Sequence, residues 1–104
     1  MSKVRKEVVV NNNELTNRFE AEVAGHNAFI EYRRASKVIT LLHSYVPASL
    51  EGYGIGGQLA RAGLEFARSE GLKVVPVCPF VKSYIRRHSE YSTLVESVPP
   101  NDNT

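Results

Sequence analysis

The sequence has few cysteines and no long apolar runs, and these two features exclude some classes of protein. There is no tryptophan and only one cysteine, Cys78; one cysteine excludes an internal disulfide and is typical of a reducing compartment. No apolar run reaches the roughly 18 residues that a membrane span needs. The stretch Val8-Val9-Val10 is too short for the apolar core of a signal peptide. We therefore expect a cytoplasmic protein that does not associate with membranes.

An excess of charge of one sign is also missing. The sequence has 13 Lys and Arg residues and 11 Asp and Glu residues, which give a net charge of +2. This charge is too small to predict strong attraction to a nucleic acid. The basic residues are scattered, apart from the arginine pairs at 33–34 and 86–87. We expect no nucleic-acid partner, no metal site, and a monomer or weak dimer.

The first half of the chain predicts a β-sheet within a single domain that spans residues 1–104, with frayed ends at 1–7 and 99–104. Alternating polar and apolar residues predict strands over the ranges 18–23 and 28–32. The longest β-rich run comes next, and its apolar first half predicts a central strand covered on both faces; this run covers residues 38–46. A short strand is also predicted at 8–10, followed by a loop at Asn11-Asn12-Asn13.

The second half of the chain predicts alternating helices and strands. Apolar residues at spacings of three and four predict helices over 58–70 and 80–88. A buried strand is predicted over 72–77, where Pro76 favours a sheet edge or a bulge. The strand–helix–strand order predicts that this strand pairs in parallel with residues 38–46. The fold class is therefore α/β or α+β, with a mixed sheet of three antiparallel strands followed by a β-α-β-α unit.

The segment between the long strand and the first helix has the pattern of an anion site. We call it the Gly-rich turn, Glu51-Gly52-Tyr53-Gly54-Ile55-Gly56-Gly57. Glycines let the backbone approach a ligand, and the free N–H groups of the helix that follows attract phosphate oxygens. A glycine-rich connection without a ligand is the alternative. No Lys-Ser or Lys-Thr follows Gly57, so the turn is not a Walker motif. The next strand ends in Cys78 and not in the acidic residue typical of dinucleotide binding.

Three blocks of sequence together resemble the minimal single-domain group of the GNAT acetyltransferase superfamily. They are Leu41-Leu42-His43-Ser44-Tyr45-Val46-Pro47, Gly52-Tyr53-Gly54-Ile55-Gly56, and Gly71-Leu72-Lys73-Val74-Val75-Pro76-Val77-Cys78-Pro79-Phe80-Val81. The resemblance implies a GNAT-like fold, binding of acetyl-coenzyme A (acetyl-CoA), and acetyl transfer to an amine, either a small molecule or a protein lysine. The sequence departs from the superfamily pattern at Glu51, where Gln or Arg is usual.

The resemblance also implies which residues hold coenzyme A (CoA). The strand end at Tyr45 and Val46 would pair with the amides of the pantetheine arm. Tyr84 and Arg87 are the implied contacts on the last helix, and Tyr84 lies one residue from the place where the superfamily often has a tyrosine acid. The pyrophosphate would be bound by backbone N–H groups of the turn, those of Tyr53, Gly54, Ile55, Gly56 and Gly57.

Cys78 and His43 are the candidate catalytic residues. Cys78 precedes a helix, where a thiolate is stabilised, and the resemblance places a cysteine beside the thioester; the alternative is a buried, inert thiol. His43 is the candidate base for the amine proton, and the alternative is a structural histidine. Acetyl transfer would run either through Cys78 or by direct attack of the amine. The alternative to an enzyme is a non-catalytic CoA-binding module that acts as a sensor or interaction domain.

Overall fold

The computed structural model describes residues 3–96, and a five-stranded sheet forms the centre of this part of the chain. The strands lie side by side in chain order: β1 (Asn11–Asn13), β2 (Arg18–Val23), β3 (His26–Ala35), β4 (Val38–Tyr45) and β5 (Lys73–Pro76). β1 to β4 pair antiparallel, whereas β4 and β5 are parallel. The predicted mixed sheet, in which three antiparallel strands precede a β-α-β-α unit, is therefore confirmed.

Two α-helices follow β4, namely α1 (Ile55–Glu70) and α2 (Pro79–Arg87). α1 begins earlier than the predicted start at residue 58. The reason is that Gly54 adopts a left-handed conformation, with φ at 79°, which turns the chain directly into the helix. Gly71, also left-handed, ends α1, as helix C-terminal glycines commonly do.

Short 3-10 turns lie at Ala48–Leu50, before α1, and at Ser89–Leu94, after α2. The second of these turns leads to Val95, which forms an isolated parallel bridge with Val74 of β5. Within residues 3–96, no helix has both the length and the apolar character that crossing a membrane requires.

The first strand lies further along the chain than predicted. Within residues 3–96 no strand forms at 8–10; Asn11–Asn13, predicted as a loop, pairs instead with residues 18–20. A local turn accounts for the difference, because the Asn13 side-chain carbonyl accepts a hydrogen bond from the Leu15 amide at 3.1 Å and reverses the chain. The valines at positions 8 and 10 are half-buried against the core and are not paired in the sheet.

The segment before β1 is attached to α1 by Gln58. The side chain of Gln58 is buried; its Oε1 accepts a hydrogen bond from the Val8 amide at 3.0 Å, and its Nε2 donates to the Lys6 carbonyl at 2.6 Å. The Lys6 amide donates to the Tyr53 carbonyl at 2.9 Å. Residues 3–7 of the predicted N-terminal end therefore lie across the Gly-rich turn. Residues 1, 2 and 99–104 of the predicted frayed ends are outside the described residues.

The core lies between one face of the sheet and α1. Ile39 and Leu41 of β4 are fully buried on this face. The helix comes close to them, since a Cβ on Gly63 would lie 3.8 Å from Leu41 Cδ2. Val38 and Thr40, which point to the other face, remain half-buried. The expectation that this strand is covered on both faces is therefore wrong, because α1 packs against one face only.

β5 lies at the edge of the sheet, the position that Pro76 favours. The last residue pair between β4 and β5 is Leu41 with Pro76, and proline has no N–H to extend the ladder. Beyond it, the amides of Val77 and Cys78 both donate to the Leu41 carbonyl, each at 3.0 Å. The pairing of the two parallel strands therefore ends at Leu41, and the chain turns into α2.

Candidate functional site

A β-bulge divides β4 at Leu42. Tyr32 pairs with Leu41 and Glu31 pairs with His43, so Leu42 has no counterpart in β3. The bulge comes directly after the residue at which pairing with β5 ends. Within the described chain, the last residues of β4 therefore keep β3 on one side and have an open edge on the other.

A cavity of about 620 Å³, which we call the first cavity, occupies this opening. It runs from the open end of β4 to the Gly-rich turn and the first residues of α1, and Phe80 of α2 completes its lining. The structure brings six of the predicted cofactor-binding residues together here: Tyr45, Val46, Gly54, Ile55, Gly56 and Gly57.

The sequence of the Gly-rich turn explains its shape. Gly54 supplies the left-handed residue before the helix, and Ile55, only 1% exposed, anchors the turn in the core. A Cβ on Gly56 would lie 3.0 Å from Phe80 Cζ, so any larger residue would force the phenylalanine ring to shift from its place on the helix start. The first N–H groups of α1 have no partners inside the helix. This end of the first cavity therefore favours an anion.

A second cavity, of about 590 Å³, shares Gly54, Gly57 and Phe80 with the first. Tyr84 lines it and packs against α1, since a Cβ on Gly57 would lie 3.5 Å from Tyr84 Cε1. The predicted cofactor-binding residues Tyr84 and Arg87 lie in this cavity and not in the first. The charged residues of the second cavity are four arginines and two glutamates, namely Arg5, Arg61, Arg68, Arg87, Glu65 and Glu90.

Burial raises the pKa of two tyrosines in the second cavity. Desolvation raises the pKa of Tyr84 above its usual value of 10.0, and the positive charge of Arg61 opposes the change. For Tyr91, burial and a 2.6 Å hydrogen bond from its hydroxyl to Glu65 Oε2 raise the pKa to about 12. Both hydroxyls therefore stay protonated at neutral pH, and that of Tyr91 donates its proton to the hydrogen bond with Glu65.

Two lysines from the N-terminal segment lie over the outer side of the Gly-rich turn. Lys3 Nζ donates a hydrogen bond to the Glu51 carbonyl at 2.8 Å. The Nζ atoms of Lys3 and Lys6 lie 4.9 and 5.5 Å from the centre of the Tyr53 ring, at distances where a cation is attracted to an aromatic face. Tyr53, a predicted cofactor-binding residue, thus lies beneath this segment and lines neither of the two cavities.

Cys78 lies immediately before α2 and behind the lining of the first cavity. Its side chain is only 2% exposed. Its Sγ lies 3.6 Å from the Oγ of Ser44, and Ser44 does line the cavity. The thiol is therefore buried next to the first cavity and contacts a residue that lines it.

His43 and Cys78 lie on opposite faces of the sheet. Successive residues of a strand point to opposite faces, so His43 points away from the face that Ser44 shares with the thiol. His43 Nε2 lies 3.3 Å from Glu31 Oε1, and 57% of the histidine side chain is exposed. The two candidate catalytic residues are therefore not in contact, and His43 has a carboxylate partner instead.

An aromatic cluster connects His43 with the end of the first cavity. The Phe29 ring lies 6.0 Å from the His43 ring and 5.7 Å from the Tyr45 ring, and Tyr45 lines the cavity. The guanidinium carbon of Arg18 lies 3.9 Å from the centre of the Phe29 ring on the same face. His43 is thus placed on the open face of the sheet, directly before Ser44, which lines the first cavity.

Sequence reasoning missed several residues that shape the two cavities. Arg61 follows Gly57 at a spacing of four, so helical periodicity alone could have placed the two side by side. Phe80 could have been found from its position beside Pro79 at the start of a helix. Arg5 depends on where the N-terminal segment lies, and no local pattern shows this. Residues 3–96 contain no group of three or more His, Cys, Asp or Glu residues arranged to hold a metal ion.

Comparison with known proteins agrees with this geometry. The family model described as GCN5-related N-acetyl-transferase matches residues 18–94. Protein NATD1 of Homo sapiens is 33% identical over 52 residues, which are 50% of this chain and 46% of that protein. Protein NATD1 of Gallus gallus has the same identity over 52 residues, 47% of its length. These matches therefore span about half the length of the curated relatives.

A solved structure extends the comparison to most of the fold. The NMR solution structure of a GCN5-like candidate N-acetyltransferase from Staphylococcus aureus superposes with a TM-score of 0.67 and 26% sequence identity. The superposition covers 91% of this chain and 94% of that chain. The GNAT-like fold implied by the three sequence blocks is thus confirmed. The chain belongs to the GCN5-related N-acetyl-transferase family.

Proposed function

We propose that this chain binds acetyl-CoA in the first cavity and transfers the acetyl group to an amine. The continuity of the first cavity supports this most directly, because the open end of β4 leads without interruption to the Gly-rich turn. An open strand edge offers backbone groups to an extended chain, and a helix start offers N–H groups to phosphates. Acetyl-CoA has both features in this order, an amide-containing pantetheine arm joined to a pyrophosphate.

The Gly-rich turn fits the pyrophosphate despite its unusual first residue. Gly54, Gly56 and Gly57 place backbone without side chains along the cavity wall. Glu51 stands where the superfamily has Gln or Arg, and its carboxylate is unfavourable beside a phosphate. Lys3 reduces this effect, because its ammonium group is fixed on the Glu51 carbonyl at 2.8 Å and places a positive charge beside the turn.

Direct attack by the amine is the route that the site favours. The amine nitrogen bonds to the thioester carbonyl carbon, the C–S bond breaks, and CoA leaves as a thiolate that takes a proton from water. A base must remove the proton from the attacking amine. We assign this role to His43, whose Nε2 is 3.3 Å from the Glu31 carboxylate and which is open to solvent. The acceptor then approaches from the open face of the sheet.

Cys78 provides the competing route. There its sulfur bonds to the acetyl carbon, CoA leaves, and the amine then attacks the S-acetyl group and restores the thiol. The burial of Cys78 behind Ser44 makes this route the less favoured one. Intact mass spectrometry after incubation with acetyl-CoA separates the two. An acetyl adduct that is absent from Cys78→Ala, together with loss of transfer in that variant, would establish the covalent route.

Binding is tested by calorimetry with CoA on Gly54→Ala and a matched control, Gly25→Ala. The two glycines have nearly the same φ, 79° and 80°, so both substitutions introduce a similar backbone strain of roughly 1–2 kcal/mol. Only Gly54 lies in the cavity wall. We expect Gly54→Ala to weaken CoA binding at least tenfold and Gly25→Ala to leave it unchanged. Equal affinities in the two variants would place the phosphates elsewhere.

Transfer is tested with acetyl-CoA and a set of amines that includes polyamines, arylamines and lysine peptides, with release of free CoA as the readout. We expect at least one acceptor class to react well above the rate without protein. If CoA binds but no amine reacts faster than this background, the chain is a CoA-binding module and the transferase proposal is wrong.

A further inference from the structure

The open face of the sheet carries an arginine beside the proposed base. Arg18 of β2 lies directly opposite Glu31 of β3, and Glu31 lies opposite His43 of β4. Cross-strand neighbours point to the same side of a sheet, so the three side chains form one row across the open face. Arg18 forms no ion pair with any carboxylate among residues 3–96. An unpaired cation in this row is available to a ligand.

Stacking on Phe29 fixes the position of Arg18. The guanidinium carbon lies 3.9 Å from the centre of the Phe29 ring, as expected for a planar cation on an aromatic face. Its Nε is the only buried side-chain nitrogen or oxygen of residues 3–96 without a hydrogen-bond partner. The two terminal nitrogens have no partner in this part of the chain either, so they are open to solvent. The ring therefore holds the guanidinium in place and leaves its terminal nitrogens free.

The carboxylates around Arg18 are engaged elsewhere. Glu31 Oε1 lies 3.3 Å from the imidazole of the proposed base, and Glu20 Oε1 accepts a hydrogen bond from Asn13 Nδ2 at 3.3 Å. Glu22, a further carboxylate of this face, lies four residues beyond Arg18 on β2. A guanidinium group binds a carboxylate with two parallel hydrogen bonds, and neither neighbouring glutamate supplies them. The arrangement therefore fits an anionic group that arrives with a substrate.

Arg18 is also close to the place where the reaction would occur. The Phe29 ring lies 6.0 Å from the His43 ring and 5.7 Å from the Tyr45 ring, and Tyr45 lines the first cavity. The guanidinium over Phe29 is thus about one strand spacing, roughly 5 Å, from the strand that carries both side chains. A molecule whose amine lies at His43 can consequently reach Arg18 with a second group that is only a few bonds away.

We propose that the acceptor is an amine that also carries a carboxylate, and that Arg18 binds this carboxylate while the amine lies at His43. The assignment rests on the proposed transfer from acetyl-CoA and deepens it by naming the class of acceptor. Amino acids with a free carboxylate belong to this class, whereas polyamines carry only positive charges, which Arg18 repels. The bonds that form and break are those of direct attack, and the carboxylate stays ionised and unchanged.

The test compares acetyl transfer to amines that differ only in the carboxylate. Glycine is measured against glycinamide, and 4-aminobutyrate against 4-aminobutyramide, with acetyl-CoA and release of free CoA as the readout. We expect kcat/KM to be at least about tenfold higher for the acid in one or both pairs, the effect of charge-assisted hydrogen bonds to Arg18. The amide of each pair has the less basic amine, so more of it is unprotonated, and amine basicity cannot cause this preference.

Substitutions of Arg18 should change the preference for the acid. Arg18→Gln should remove most of it, and Arg18→Lys should keep only part, because an ammonium group lacks the flat two-point geometry of a guanidinium. The preference is a ratio of two rates on one variant, so a partial loss of folded protein cancels. Arg33→Gln is the matched control, since Arg33 is exposed and pairs with Thr40, beyond the bulge and away from His43.

The possible outcomes separate this inference from the proposed function. If other amines react but neither acid is preferred to its amide, or if Arg18→Gln keeps the preference, the inference is wrong while acetyl transfer stands. If Arg33→Gln lowers the preference as much as Arg18→Gln does, the effect is one of overall charge and the assignment to Arg18 is overturned. If no amine of any kind reacts above the rate without protein, the proposed transfer is wrong and the inference with it.

Discussion

The two halves of β4 differ in almost every physical respect. Residues 38–41 pair with β3 on one side and β5 on the other, and Ile39 and Leu41 are fully buried under α1. Residues 43–45 pair with β3 alone, and His43 and Tyr45 are more than half exposed. Leu42 separates the halves. The same strand therefore builds the core at its start and lines the first cavity at its end.

This difference explains how a small domain can hold a site without a separate lobe. Open strand edges usually attract other strands, so proteins cover or interrupt them. Here the edge opens onto a cavity, and the turn after the strand brings helix N–H groups to the other end of that cavity. The stability of the first half and the binding capacity of the second half should consequently respond to different substitutions.

Leu41→Ala is expected to have the largest effect, and the effect should be on stability. The side chain is 0% exposed, so its truncation should cost about 2–5 kcal/mol of unfolding free energy. Urea unfolding measures this. Thr40→Ala, at the neighbouring half-buried position, should cost less than about 1 kcal/mol. If the folded Leu41→Ala variant loses more CoA affinity than variants at 43–45, the first half of β4 does not serve stability alone and the comparison is wrong.

His43→Asn is expected to have the next largest effect, and the effect should be on the reaction. Loss of a general base lowers kcat by about a hundredfold, whereas loss of an exposed side chain should change stability by less than about 0.5 kcal/mol. Steady-state kinetics with acetyl-CoA and an amine acceptor measure this. Glu31→Gln should lower kcat less, because Glu31 only orients the imidazole. An unchanged kcat in His43→Asn would remove histidine from the mechanism.

Tyr45→Ala should have the smallest of the three effects, and the effect should be on binding. The ring is 52% exposed and lines the first cavity, so its loss should raise the KM for acetyl-CoA by roughly fivefold with little change in kcat. Leu15→Ala is the control, because Leu15 is 98% exposed and lines no described cavity. A similar KM in both variants would mean that the pantetheine arm does not pass Tyr45.

The sequence predicted the elements whose pattern is local. Alternating polar and apolar residues at 18–23 predicted a strand, and apolar residues at spacings of three and four predicted α1. Both patterns are visible in the sequence because an element that buries one face repeats its apolar residues with the period of a strand or a helix. Pro76 indicated the sheet edge for the same reason, because a missing N–H is a property of one residue. Most of the lining of the first cavity was also accessible, because all of it except Phe80 comes from one stretch of chain, residues 44–57.

The features that escaped prediction depend on contacts between distant residues. Strict alternation would place His43 on the same face as Leu41, toward the core, and only the pairing with β3 reveals the bulge that reverses it. Arg5 joins the second cavity because Gln58, far along the chain, bonds the backbone beside it. Local sequence patterns predict neither the bulge nor the position of Arg5, because both depend on which backbone groups form hydrogen bonds in the folded chain.

The bulge at Leu42 has a consequence for how such a site can arise or be lost. Every pair in the ladder, from Leu41 with Tyr32 to Tyr45 with Phe29, would survive the deletion of this residue. His43 and Ser44 would keep their faces and the strand would run straight, while Pro76, which has no N–H, would still end the pairing of β5 at Leu41. We therefore expect deletion of Leu42 to reshape the first cavity while it leaves the pairing of β4 with β3 intact.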